Sequence, residues 1–154
     1  MAILELGINL GTRNLIEIKY YNSSDNYGLD ANLRAGFLSA LESFTSEVFG
    51  DDINVISLAS FKLVCYCEMV SLPYSDKKDE NTQPLLYYAI IEKETDADIV
   101  KQHLTKINSH FLNRYSIYDV FSKKGKFFKD FESRIYEILG DLRLKTEDRF
   151  RSIF

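Results

Sequence analysis

The sequence predicts an α/β (α+β) domain in three layers, with a five-stranded antiparallel sheet between helices and the element order β-β-α-β-β-β-α-α. Three observations carry this. Five short runs have strand character and are joined mainly by tight turns. Three longer stretches place apolar residues at helical spacing. One helix falls between the first two strands and the other three, and two helices follow the last strand. One helix on one face and two on the other is therefore the economical cover, an α/β/α sandwich. The 154 residues fit one domain, taken as 1–142, with 143–154 as a C-terminal tail or helix extension.

The elements follow in order. Ala2–Asn9 reads as a strand with Leu4, Leu6 and Ile8 on one face and Ile3, Glu5 and Gly7 on the other. Leu10–Asn14 is turn chemistry. In Leu15–Tyr21, Ile16, Ile18 and Tyr20 alternate with Glu17 and Lys19, which predicts an edge or outer strand. Asp30 is a candidate N-cap for a helix to about Phe49, with Leu33, Phe37, Leu41, Phe44 and Val48 as its core stripe and Gly50 as its stop. Ile53–Ser60 and Phe61–Val70 are two more strands, followed by a polar loop over Ser71–Gln83. Pro84 opens a continuous apolar run to Glu92, as suits a central strand covered on both faces. Thr95–Asp98 supplies cap candidates for a helix carrying Ile99, Val100, Leu104, Ile107, Phe111 and Tyr115. After a break around Ser122–Lys126, Phe128 to Leu142 marks the last helix.

The composition, 45% hydrophobic with 21 Phe or Tyr, supports a packed core without disulfide or metal. Net charge is −4, so there is no general reason to expect nucleic acid. Residues 123–154 carry nine Lys/Arg against six Asp/Glu, an excess read as a solvated helix face, with an acidic partner or an anionic membrane as alternatives. The N-terminus has no basic n-region or cleavage site, and no run approaches a membrane span. A cytoplasmic protein is expected, in contact with membrane at most peripherally through a partner.

Chemistry is sparse. His103 and His110 lie seven residues apart on one helix, too far for a ligand pair, and Cys65 and Cys67 read as two small reduced thiols on one side of a strand. No phosphate-cradling or hydrolase motif is present, and Asp51-Asp52 and Asp76–Glu80 lie in turns. No catalytic residue, metal ligand or cofactor is expected.

The helix over 30–49 is more informative. At about 100° per residue, the side away from its core stripe carries Ala31, Ala35, Leu38, Ser39, Glu42, Ser46 and Phe49, and six of the seven are small or apolar. Small residues let another backbone approach, and Leu38 and Phe49 would bracket it. This predicts a docking face for a partner or a second copy.

Leu33–Gly50 (LRAGFLSALESFTSEVFG) and His110–Leu139, together with the element order, resemble the longin domain family, within the longin/roadblock-like modules that regulate small GTPases, in their prokaryotic and especially archaeal forms. The resemblance covers nearly the whole chain and implies a five-stranded antiparallel sheet with the first helix on one face and two on the other. It implies homo- or heterodimers that bind small GTPases, vesicle-trafficking machinery or another longin/roadblock subunit. It also implies an interface through the first helix and the third strand, which adds Ile56 and Leu58 to Ala35, Leu38, Ser39, Glu42, Ser46 and Phe49. The chain departs from some longins in lacking a following coiled coil and an obvious catalytic Arg or Asn finger. The expected role is thus a non-catalytic protein-interaction module. A small-ligand sensor of PAS or GAF type, with Leu85–Ile91 lining its pocket, is the alternative.

Overall fold

Leu85–Ile91 is apolar at every position, and it forms the middle of the sheet. The computed structural model describes residues 3–20, 54–57, 61–73 and 82–143. They comprise strands β1 (Ile3–Leu10), β2 (Arg13–Lys19), β3 (Asn54–Ser57), β4 (Phe61–Ser71) and β5 (Thr82–Glu92). Helices α1 (Ala97–Arg114), α2 (Ile117–Ser122) and α3 (Phe131–Leu139) follow, with 3₁₀ turns at Gly125–Phe128 and Gly140–Arg143. The architecture is α+β. All strand pairings are antiparallel, in the order β2-β1-β5-β4-β3.

β5 alternates strictly between two cores. Leu85, Tyr87, Ala89 and Ile91 join the core that the helices cover, and Leu86, Tyr88 and Ile90 join a second core on the opposite face. Both sets are buried, as the unbroken apolar run requires of an inner strand. Pro84 is accommodated inside β5 because its missing donor faces the β1 side, where β1 has ended. Its carbonyl accepts from the Gly11 N–H at 2.9 Å, and Gly11 itself sits at φ +58° in the β1–β2 turn.

Two bulges shift the expected facing of β1 and β2. Across β1–β5, Ile3 pairs with Ile91 and Glu5 with Ile90, so two steps on β1 match one on β5. Leu4 therefore falls on the second core, while Leu6 and Ile8 face the helices together with Ile3. Strict alternation put Leu4 with Leu6 and Ile8; the bulge changes the phase. A second bulge, where Ile8 and Asn9 face Ile16 and Asn14, leaves Leu15 extra, and both Leu15 and Ile16 are buried against the helices. The rest of β2 alternates, and β2 is an edge strand. On β1, Gly7 lies opposite Tyr88, and a Cβ there would collide with the Tyr88 ring.

α1 starts where the caps predict: Asp96 accepts from the Asp98 N–H at 2.9 Å. Its stripe Val100, Leu104, Ile107 and Phe111 is buried. Beyond it, the helix expected from Phe128 to Leu142 is shorter. Phe128 belongs to the 3₁₀ turn, α3 begins at Phe131, and Gly140 at φ +53° ends it. The additional α2 is capped by Ser116, which accepts from the Asp119 N–H at 3.1 Å. Phe111, Tyr115, Phe128 and Phe131 form one aromatic cluster with ring centroids 4.9–6.0 Å apart. None of the described helices contributes to the second core. The helix predicted over 30–49 and the tail beyond Arg143 lie outside the described residues.

Candidate functional site

Of the predicted interface residues, Ile56 lies in β3, opposite Leu63 of β4. Ala35, Leu38, Ser39, Glu42, Ser46, Phe49 and Leu58 lie outside the described residues. β3 is four residues long and stands at one end of the sheet, so one of its edges is not used by β4. β4 runs on past β3. Its residues from Tyr66 to Ser71 pair with β5 on one side, and among the described residues no strand pairs with them on the other. Among the described residues, this end of the sheet thus has backbone donors and acceptors without a strand partner, beside a residue that the resemblance places in the interface.

The expected chemistry-bearing residues are quiet. Cys65 and Cys67 are free and on one face, both in the second core, as their i, i+2 spacing predicts. Burial, followed by the neighbouring Cys67, pushes the Cys65 thiol up to about 12, and burial also raises Cys67, with Glu68 adding to it. Neither is a thiolate nucleophile at neutral pH. The half-buried His103 ring makes a local contact, with Nδ1 2.7 Å from the Ile99 carbonyl. Among the described residues no three His, Cys, Asp or Glu side chains converge to hold a metal ion.

A polar cluster beneath α1 is less obvious from the sequence. Asn108 Nδ2 donates to Glu68 Oε2 at 2.7 Å, tying the middle of α1 to β4. Tyr87 lies beside them, edge-on to Phe111 at 6.4 Å and tilted against Tyr66 at 6.1 Å. Burial, then the charges of Glu68 and Tyr66, hold the Tyr87 phenol well above its ordinary value. The Tyr87 hydroxyl and Asn108 Oδ1 are buried without a hydrogen-bond partner among the described residues. A carboxylate, an amide and a neutral phenol in this setting can hold a helix in register, but they include no activated nucleophile. The tyrosines of β5 are packing groups: Tyr87 meets Phe111 and Tyr66, and Tyr88 covers Gly7. The signal for the cluster was present in the pattern. Asn108 interrupts the stripe Leu104–Phe111, and Glu68 interrupts the face Val64, Tyr66, Val70.

Arg13, in the β1–β2 turn region, has a role that local pattern does not show. Its Nη2 donates to the carbonyls of Val120 and Phe121 at 2.6 and 3.0 Å, so the guanidinium closes the C-terminal end of α2 from the β2 side.

No protein-family model matches the chain, and no curated protein matches it.

Proposed function

We propose that the chain is a longin-like, non-catalytic adaptor that pairs with a second copy or a related subunit and presents the assembled surface to a small GTPase. The observation that supports this reading is the position of β3 at the end of the sheet, with Ile56 in it and, among the described residues, no strand paired on its outer side. The resemblance assigns its interface to this strand and the helix over 30–49. Edge-strand pairing would supply directional hydrogen bonds, and the small and apolar helix positions Ala35, Leu38, Ser39, Ser46 and Phe49 would supply the desolvated centre. The antiparallel sheet, with the C-terminal helices all on one buried face and the opposite face buried as well, supports the layered longin plan. No chemical step is part of the mechanism: affinity comes from apolar burial, orientation from surrounding charges, and the setting is the cytoplasm.

The test is solution mass by light scattering over a range of concentrations, followed by GTPase capture. The expected result is a species of twice the 17.9 kDa chain mass that Ser39→Arg converts to folded monomer. Small GTPases loaded with GTP or GDP should then bind unequally. A chain that stays monomeric at every concentration, and binds no GTPase in either nucleotide state, would sink the reading.

A further inference from the structure

Four of the nine Lys/Arg of residues 123–154 lie on and beside the 3₁₀ turn between α2 and α3, in the stretch Lys123-Lys124-Gly125-Lys126-Phe127-Phe128-Lys129. With three residues per turn, side chains at i and i+3 eclipse, so the turn has three sides. Gly125 and Phe128 form the inner side. Phe128 is fully buried, and a Cβ on Gly125 would come within 2.9 Å of the Leu15 backbone oxygen. That close approach presses the turn onto the β2 bulge and turns the other two sides outward. One carries Lys124 and Phe127, joined by the Phe127 N–H to Lys124 carbonyl bond at 2.9 Å; the other carries Lys126 and Lys129. Lys123, at the end of α2, sets its ammonium 5.4 Å from the Phe127 ring centre.

All four lysines are exposed, and none makes an ion pair with Asp119, Asp130 or any other described acid. Phe127 leans its base on Tyr115 and Phe128 at 5.7 and 5.3 Å, yet 45% of it remains exposed. An exposed ring flanked by four exposed lysines, none ion-paired among the described residues, matches the boundary of an anionic bilayer. The ring can enter the headgroup layer while the lysines stay at the phosphates. Nucleic acid is the poorer match. The charges are all Lys rather than the Arg that grips phosphate in a bidentate fork, and one ring offers no row of stacking surfaces.

We propose that this turn is a direct contact site for anionic lipid, a property separate from the protein-docking role above and beyond membrane contact through a partner. The chain has no tryptophan, so Phe127→Trp provides a single fluorescent reporter at this position. Its emission should shift to the blue with phosphatidylcholine vesicles containing phosphatidylserine, stay unchanged with pure phosphatidylcholine, and lose the shift at high salt. In a sedimentation assay of the unlabelled chain, each Lys→Gln change at 123, 124, 126 or 129 should lower partition about fivefold. Absence of a blue shift with the charged vesicles, or equal sedimentation of the parent and a folded variant with all four lysines replaced, overturns the proposal. A shift with single-stranded DNA and none with vesicles also overturns it, and assigns the lysines to nucleic acid.

Discussion

The two faces of the sheet both hold buried residues but are built differently. The face under α1 and α3 is aromatic and continuous with the helices: Tyr87, Phe111, Tyr115, Phe128 and Phe131 interlock, and a polar cluster of Glu68, Asn108 and Tyr87 sits within it. The opposite face is a smaller patch of Leu4, Leu63, Cys65, Leu86, Tyr88 and Ile90. Its one fully buried ring among the described residues, Tyr88, is seated over Gly7, where no side chain competes for the space. The contrast shows how a single run of residues, Leu85–Ile91, serves two environments. Odd positions join the core that the helices cover, where Tyr87 meets the Phe111 ring, and even positions join Leu4, Leu63 and Cys65. On the first face the described contacts join side chains far apart in sequence; on the second the contacts among the described residues are between neighbouring strands.

The largest expected effect breaks the first face. Phe111 touches Tyr87, Tyr115, Phe128 and Phe131, so Phe111→Ala leaves a void between α1, the 3₁₀ turn and α3. Urea unfolding should show a loss of about 4 kcal/mol. A loss below about 1 kcal/mol would mean that the cluster does not pack as described.

A smaller effect sharpens the second face. The Cys65 thiol, ordinarily ionising at 9.0, is held up to about 12 by burial. Between these values the unfolded chain gives up the proton while the folded chain keeps it. The folded state then binds more protons, and stability falls as pH rises, by at most about 1.4 kcal/mol per pH unit. Tyr87 and Cys67, also raised, contribute in the same direction, so the measurement is the difference between the parent chain and Cys65→Ala. The variant should lose less stability through the alkaline range, and parallel curves would refute the burial of Cys65.

The smallest effect separates packing from hydrogen bonding on the first face. The Tyr87 hydroxyl is buried without a partner among the described residues. Tyr87→Phe should therefore leave stability within about 1 kcal/mol of the parent or raise it slightly. A loss of about 2 kcal/mol would show that the hydroxyl makes a bond that matters.

Much of this fold is legible in local pattern. The apolar run of β5 announces an inner strand, the alternation of β2 an edge, Thr95–Asp98 the start of α1, and Cys65 with Cys67 a shared face. Other features are not. Leu4 changes face because of a bulge that depends on how β1 meets β5, and the last helix is divided because a 3₁₀ turn packs Phe128 inward before α3 begins. The third strand, with Ile56 and Leu58, enters as an interface only through the resemblance; that β3 stands at the end of the sheet follows from the order of pairing. The lysine excess was visible as a count, but its arrangement around Phe127 was not.

The sequence by itself determined what short-range physics controls: that the segments of β1, β2, β4 and β5 are strands, that β5 is apolar on both faces, and that a helix starts at Thr95–Asp98. Periodicity and capping involve residues a few positions apart, so one stretch of chain contains all the information. The tertiary structure decided the strand order, the phase of β1, the union of Asn108 with Glu68 forty residues away, and the grip of Arg13 on the end of α2. Each of these is a contact between segments whose separate patterns are compatible with several partners. Only close packing of the whole selects among them.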